Sequence, residues 1–287
     1  QTKQYLRPSI HKYPVHKPKK SLGQNFLHDT NIAIKIVRLF NPQPNDVVVE
    51  IGPGQGALTS LLLEHLPHLT AIELDDMLAK ELQTRFGEKL TLLHDDVLHV
   101  SWNEIFSLHQ KKLRIIGNIP YYITTPILFH IIDSAAVIKN FTVMMQTEVA
   151  QRLIAKPRTK EYGILSILIQ YYSTPKMLFG VSSNSFFPVP SVTSAVISLD
   201  FESPFPERAI NDTFYSTIVR GTFGKRRKTL RNGLKSLGIP AEAFEQISFD
   251  FDRRPEELSV QEFVTLANQL MPYASSVVSV FMEESEL

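Results

Sequence analysis

Cysteine is absent from the 287 residues. That excludes disulfides, a thiol nucleophile and Cys-ligated zinc or iron–sulfur centres. No apolar run approaches the ~18 residues of a membrane span. The start is basic but lacks the ~7–15-residue apolar core of a secretory signal. Because 43% of residues are hydrophobic and 10% aromatic, a substantial core can form, and disorder over most of the chain is excluded. A soluble, intracellular protein of one large domain, or one domain with an appendage, is expected.

Two segments lack acidic residues altogether. Residues 1–20 carry Lys3, Arg7, Lys12, Lys17, Lys19 and Lys20, and residues 221–235 carry Lys225, Arg226, Arg227, Lys228, Arg231 and Lys235. The remaining 252 residues hold 18 basic against 29 acidic side chains, so the net charge of +1 conceals basic segments on an acidic body. Such a distribution suits a polyanionic partner as well as a plain solvated surface.

Along the chain, residues 1–20 hold three prolines and read as a flexible basic arm. From Asp29, a natural N-cap, Ile32, Ile36, Val37 and Phe40 recur at helical spacing. Strands are expected at Val47–Gly52, Leu69–Leu74, Leu90–Asp95, Leu113–Gly117, Phe141–Gln146 and Ser194–Phe201, with helices at Leu58–His65 and Asp76–Arg85. Runs such as Val47-Val48-Val49 are apolar at both alternating positions, as in strands buried on two faces. Strand–helix alternation predicts a doubly wound α/β sheet over residues 21–203. After Pro204 the pattern turns helical: Asn211–Val219, Lys225–Leu237, and Val260–Leu270 behind a Ser259/Glu262 capping box. This predicts a small helical domain over residues 204–272, with Gly238 ending its second helix, and a tail over 273–287.

The first strand runs into Glu50-Ile51-Gly52-Pro53-Gly54-Gln55-Gly56-Ala57. Glycines at such a turn let a ligand approach the backbone. The spacing also satisfies the dinucleotide fingerprint, so NAD is a rival ligand. Glu50 directly before the glycines would attract a cationic group and repel a pyrophosphate. Glu73, ending the second strand, suits both hydroxyls of a ribose. After the third strand, Asp96 beside Val97 suits an adenine amino group, with Asp95 the neighbouring alternative. S-adenosylmethionine combines an ammonium, a sulfonium, a ribose and an adenine.

Directly after the fourth strand comes Gly117-Asn118-Ile119-Pro120-Tyr121-Tyr122, in a position to reach the site. Thr125 and Pro126 then read as N-cap and N1 of a helix. The run offers the Asn118 amide oxygen, the Ile119 carbonyl, the rigid Pro120 and the Tyr121 ring. Two acceptors and a stacking face suit an exocyclic amine on a nucleobase, whose lone pair is delocalised until its geometry turns pyramidal. The plainer reading is an ordinary strand-to-helix loop with its tyrosines packed in the core.

Asn118-Ile119-Pro120-Tyr121 resembles the signature of the ribosomal RNA adenine N6-methyltransferases. Ser21-Leu22-Gly23-Gln24-Asn25-Phe26-Leu27, Glu50-Ile51-Gly52-Pro53-Gly54, Gln146-Thr147-Glu148-Val149-Ala150-Gln151-Arg152 and Phe186-x-Pro188-x-Pro190-x-Val192-x-Ser194 are similar to further motifs of that family. So are Arg226-Arg227-Lys228-Thr229-Leu230 and Arg254-Pro255-Glu256-Glu257-Leu258 in the helical part. The resemblance runs from about Lys20 to Leu270. It implies a Rossmann-like class I S-adenosylmethionine methyltransferase sheet with a C-terminal helical domain, S-adenosylmethionine as methyl donor and no metal. By that analogy Asn25, Leu27, Gly52, Glu73, Asp96 and Asn118 contact the cofactor or its reacting end, together with Glu50, Gly54 and Val97. Phe186 would stack on the target adenine opposite Tyr121, with Phe187 the alternative and one of the pair in the core.

The helical-domain motifs are most similar to the family branch acting on the small ribosomal subunit. That implies two methyls on each of two adjacent adenosines near the 3′ end of its 16S RNA, by a monomer in the bacterial cytoplasm. Arg226, Arg227, Lys228, Arg231 and Lys235 would bind RNA; on a helix from Lys225, the cations Lys228, Arg231 and Lys235 lie opposite Leu230, Leu234 and Leu237. Three other readings compete. Related enzymes modify one large-subunit adenine, a mitochondrial relative serves transcription as a binding protein, and a dehydrogenase would leave Asn118 to Tyr121 unexplained.

Overall fold

The computed structural model describes residues 18–19, 22–224 and 229–277. The strands are β1 (Phe26–Leu27), β2 (Val47–Ile51), β3 (Leu69–Ile72), β4 (Leu90–Leu93), β5 (Leu113–Asn118), β6 (Ile138–Gln146), β7 (Thr174–Val181), β8 (Phe186–Phe187) and β9 (Ser194–Asp200). The helices of the α/β part are α1 (Thr30–Phe40), α2 (Ala57–Leu62), α3 (Asp76–Phe86), α4 (Trp102–His109), α5 (Thr124–Asp133), α6 (Thr147–Leu153) and α7 (Ile164–Tyr172). Then follow α8 (Asp212–Phe223), α9 (Leu230–Ser236), α10 (Ala243–Gln246) and α11 (Val260–Leu270).

Seven strands form one sheet in the order β4-β3-β2-β5-β6-β9-β7. β4 to β6 are parallel, while β9 runs antiparallel to both β6 and β7. Neighbouring residues of one strand serve opposite cores. Val48, Ala71, Ile116 and Met144 pack with α1 and α2 on one face, whereas Val49, Ile72, Ile115 and Val143 pack on the other. This is why those strands are apolar at consecutive positions. The second core continues without a break into the helical segment through Tyr215, Ile218, Leu230, Leu234 and Phe263.

Caps legible in the sequence close several helices. Asp29 Oδ1 accepts the N–H groups of Asn31 at 3.0 Å and Ile32 at 3.3 Å. Ser259 and Glu262 form the reciprocal box that starts α11. Gly238 takes the positive φ of a helix terminus, +89°.

Four expectations are corrected. α5 starts at Thr124 behind a single 3-10 turn at Tyr121–Ile123, and no Thr125 side chain caps it. β7 was not foreseen, because its register shifts between Met177 and Phe179 and its edge position leaves it half exposed, blurring the alternation. Residues 225–228 lie outside the described residues, and α9 begins only at Leu230 with Thr229 as N-cap. The tail does not begin at Tyr273, which sits in a 3-10 turn and donates its hydroxyl to Gln246 Oε1 at 2.7 Å.

Candidate functional site: a cleft at the carboxyl ends of the parallel strands

β3 and β5 lie on opposite sides of β2. The chain leaves β2 toward one neighbour and returns beside the other, and that divergence opens a crevice at the strands' carboxyl ends. A cleft of about 1010 Å3 sits there, open to solvent. Asn25, Leu27, Glu50, Gly52, Gly54, Glu73, Asp96, Val97, Asn118, Ile119, Pro120 and Tyr121 all line it.

The glycine turn follows β2 in left-handed backbone, with φ of +63° at Gly52 and +56° at Gly54. A Cβ at Gly54 would lie 3.1 Å from the Phe26 ring. Gly54→Ala is therefore expected to strain the turn by about 1–2 kcal/mol and to displace Phe26. The outcome to measure is a melting temperature lowered by a few degrees.

Glu50 is 1% exposed, and Thr59 Oγ1 donates to its Oε2 at 2.7 Å. Burial pushes its carboxyl up to about 8, the Thr59 bond opposing and the Glu73 charge adding to the rise. Among the described residues no cation pairs with it, and the carboxyl is held protonated near neutral pH. Burial likewise raises Glu73. Glu73 Oε2 accepts from Gly54 N at 3.1 Å and Oε1 from Asp75 N at 2.9 Å, which tie β3 to the glycine turn. Each oxygen keeps a second lone pair for a hydroxyl.

At the end of β4, Asp95 is exposed and Asp96 half-buried. Asp95 Oδ1 accepts from Asp96 N at 2.7 Å, and Asp96 Oδ1 accepts from Leu98 N at 2.9 Å. Both residues line the cleft, so the neighbouring alternative is not removed by position alone.

Asn118 ends β5. Its Nδ2 donates to the Asn25 carbonyl at 3.1 Å. Only the nitrogen of a carboxamide can face a carbonyl oxygen, so this bond fixes the orientation and leaves Oδ1 as an acceptor. Tyr121 is half-buried, its hydroxyl 2.6 Å from Ser194 Oγ, and burial raises its pKa. The Ile119 side chain is buried while its residue lines the cleft.

The segment before α1 folds over this mouth. β1 pairs antiparallel with β8, Phe26 opposite Phe187 and Leu27 opposite Phe186. Lys19, placed in the flexible arm by sequence, instead pairs with Asp75 at 3.0 Å, and Gln24 Nε2 donates to the same carboxylate at 3.0 Å. Burial alone would raise Asp75, but the bonds from Lys19, Gln24 and the α3 N–H groups outweigh it and hold the carboxyl below its ordinary value. Asp75, which caps α3, had no role in the reading of the sequence, because its partner Gln24 lies 51 residues away.

Phe186 requires a correction. It is 1% exposed and packs in the α1–α2 core, so in this arrangement its ring offers no face to a base. Opposed residues of an antiparallel pair share a face. Phe186 therefore shares Leu27's inward side, and Phe187, beside Phe26, is the exposed member at 56%.

Of the expected RNA contacts, Arg226, Arg227 and Lys228 lie outside the described residues. Arg231 pairs with Asp252 at 3.3 Å and lies 5.3 Å from the Phe244 ring. Lys235 is exposed near the same ring, and Leu230, Leu234 and Leu237 are buried as expected.

Parallel strands flanked by helices, with a carboxylate-lined cleft at the switch point, define a Rossmann-like α/β protein. A dimethyladenosine transferase from Plasmodium falciparum matches with a TM-score of 0.70 at 24% identity, covering 88% of this chain and 98% of that one. The 23S rRNA methyltransferase ErmE matches with a TM-score of 0.61 at 23% identity, covering 86% and 100%. These two likenesses concern the fold. In sequence, the family model described as ribosomal RNA adenine dimethylase matches residues 15–271. The ribosomal RNA small subunit methyltransferase A of Acinetobacter baylyi is 44% identical over 262 residues, 90% of this chain and 94% of the relative. Its namesake in Clostridium botulinum is 42% identical over 265 residues, 90% of this chain and 96% of the relative. The chain belongs to the ribosomal RNA adenine dimethylase family.

Proposed function

We propose that this chain is an S-adenosylmethionine-dependent N6,N6-dimethyltransferase of two adjacent adenosines near the 3′ end of the small-subunit 16S ribosomal RNA. In this reading it works as a monomer in the bacterial cytoplasm during small-subunit assembly. The observation that carries the reading is the Asn118 carboxamide, anchored through nitrogen to Asn25 and keeping its oxygen as acceptor, in a cleft that also holds the buried Glu50 carboxyl.

The residues fit the cofactor by their chemistry. Glu50 meets a cationic amino-acid end, Glu73 a ribose, Asp96 beside Val97 an adenine, and the left-handed turn at Gly52 and Gly54 admits the ligand close to backbone. Asn25 and Leu27 cover the mouth. When bound, S-adenosylmethionine supplies an electrophilic methyl group on a sulfonium.

The protein's own residues then handle the base. Asn118 Oδ1 and the Ile119 carbonyl accept the two amine hydrogens, which favours the pyramidal geometry in which the nitrogen lone pair is available. Pro120 fixes the loop, and Tyr121 stacks on the adenine, an interaction worth about 1–3 kcal/mol. The amine loses one proton for each methyl gained. Positioning and electrostatics carry such a reaction without a strong base. A paired adenine hides its amine, so the base must be unstacked.

Residues 204–272 are proposed as the RNA-holding part, with Arg226, Arg227, Lys228 and Lys235 supplying phosphate contacts. Arg231 joins them only by exchanging Asp252 for a phosphate. The test offers undermethylated small subunits, large subunits and naked RNA with labelled S-adenosylmethionine and maps the product by mass spectrometry. Dimethyladenosine at two adjacent small-subunit positions is expected. Label on the large subunit alone would overturn the proposal.

A further inference from the structure

Outside the reacting cleft, a solvent-open groove lies between α5, α6, the loop after α6, the end of α8 and the turn at Pro255. Ile123 lines the cleft, and Thr125, two residues further along the chain, lines the groove. We infer that the loop on its rim, residues 156–160, is a second RNA-phosphate contact, separate from the basic segment at 225–235. The inference rests on the RNA reading given above.

Lys156, Arg158 and Lys160 alternate along this loop and all three are exposed. No acid interrupts them before Glu161. Among the described residues, their side chains make no ion pair or hydrogen bond. By contrast, the neighbouring Arg152 is paired with Glu148 at 2.5 Å, and Arg253 with Glu262 at 2.6 Å. Glu148, Arg152, Lys160, Glu161 and Glu256 line the groove, so its walls are mixed in sign, and Lys156 and Arg158 lie in the same loop as Lys160.

The loop is held rather than loose. Arg158 N donates to the Glu256 carbonyl at 2.8 Å, Thr159 Oγ1 to the Lys156 carbonyl at 2.8 Å, and Tyr162 Oη to the Leu258 carbonyl at 2.8 Å. Arg158 has φ +68°, in the left-handed region. The other non-glycine residues with positive φ, Asn41 and Gln110, end helices α1 and α4, where that conformation is ordinary. Arg158 ends no helix. Sterically costly backbone that fixes three unpaired cations on one turn gains nothing for folding, since like charges repel. A polyanion along the rim relieves that repulsion. Because Arg158 N bonds to the Glu256 carbonyl and the nearby Tyr162 hydroxyl to the Leu258 carbonyl, RNA bound here would also be registered against the helical segment.

The test compares wild type, a K156A/R158A/K160A variant, a K156R/K160R variant and a K89A/K111A/K112A control. The control charges are exposed and sit just before β4 and β5, at the opposite end of the strands. Binding of undermethylated small subunits is followed from 50 to 200 mM salt, with steady-state methylation kinetics alongside. Each lost phosphate contact lowers the salt slope by about 0.9, so three contacts shrink the affinity drop across that range by about 40-fold. The triple variant is expected to show this flattening and a raised KM, with kcat and S-adenosylmethionine affinity unchanged. The arginine variant and the control should match wild type. A triple variant with wild-type slope and KM overturns the inference, as does a control that flattens equally, which would indicate net charge alone. If wild type itself methylates no small-subunit RNA, the functional reading fails instead.

Discussion

Asn118→Ala is expected to lower methyl transfer about 100- to 1000-fold, the cost of removing one preorganised group aimed at developing charge. S-adenosylmethionine affinity should change by less than tenfold. Asn118 Nδ2 is held by the Asn25 carbonyl at 3.1 Å, so its oxygen is already oriented before substrate arrives. Alanine removes that acceptor and the link to the segment over the mouth. Cofactor affinity separates the two losses, because a segment that came loose would expose the cofactor and weaken its binding in step with turnover. Asn118→Asp adds a second readout. It keeps an acceptor but sets a carboxylate against the Asn25 carbonyl, so it should recover little activity. Full activity in Asn118→Ala would overturn the proposed chemistry.

Glu50→Gln is expected to make the unliganded protein more stable at alkaline pH and to weaken S-adenosylmethionine binding by at least tenfold. Unfolded, Glu50 titrates near the ordinary carboxyl value of 4.5, whereas in the fold burial carries it to about 8. The folded protein therefore holds an extra proton between those values. Stability from this group is complete below the lower value and is lost as pH rises through the upper one, at about 1.4 kcal/mol per unit. Glutamine keeps an oxygen for Thr59 and has no proton to lose. The melting temperature of Glu50→Gln should thus exceed that of wild type by a margin that grows from pH 5 to pH 8.

Binding reverses the sign. A cationic ligand selects ionised Glu50, so association below pH 8 releases a proton, and wild-type affinity should rise about tenfold per pH unit between 6 and 7.5. The rise should end where the ligand's own α-amino group titrates, about 7.7–8.0. Glu50→Gln should bind with an affinity flat over that lower range. Calorimetry in buffers of different ionisation enthalpy counts the released proton. A wild-type affinity independent of pH from 6 to 7.5 would remove Glu50 as the partner of the cationic end.

Much of the site was legible residue by residue because the chain concentrates it in four short runs, each directly after a strand. Gly52, Gly54, Glu73, Asp96 and Asn118 announce themselves by type and position, and a parallel sheet brings strand ends together whatever the intervening helices are. Other features depend on partners distant in sequence. That Lys19 is docked while the residues around it read as a loose arm follows from Asp75, to which the sequence reading gave no role. Phe186 and Phe187 are chemically identical neighbours; the motif reading put Phe186 first, and burial leaves Phe187 as the exposed one. The pairing of β8 with β1 turns Phe186 inward and Phe187 outward.

By itself, the sequence determined the α/β class, the boundaries of the best-capped helices, the family and the identity of the cleft-lining residues. These depend on local periodicity, capping chemistry and residue type, which the chain carries without reference to its fold. Only the tertiary structure decided which groups are desolvated, which way the Asn118 amide faces, and which cations are already paired. Arg231 and Lys156 illustrate this. Both are basic residues of the same surface chemistry, yet one is paired with Asp252, and the other stands exposed on a held loop without a partner among the described residues. Burial, orientation and pairing are properties of three-dimensional neighbours, and electrostatic energy is set by those neighbours and by the water they exclude.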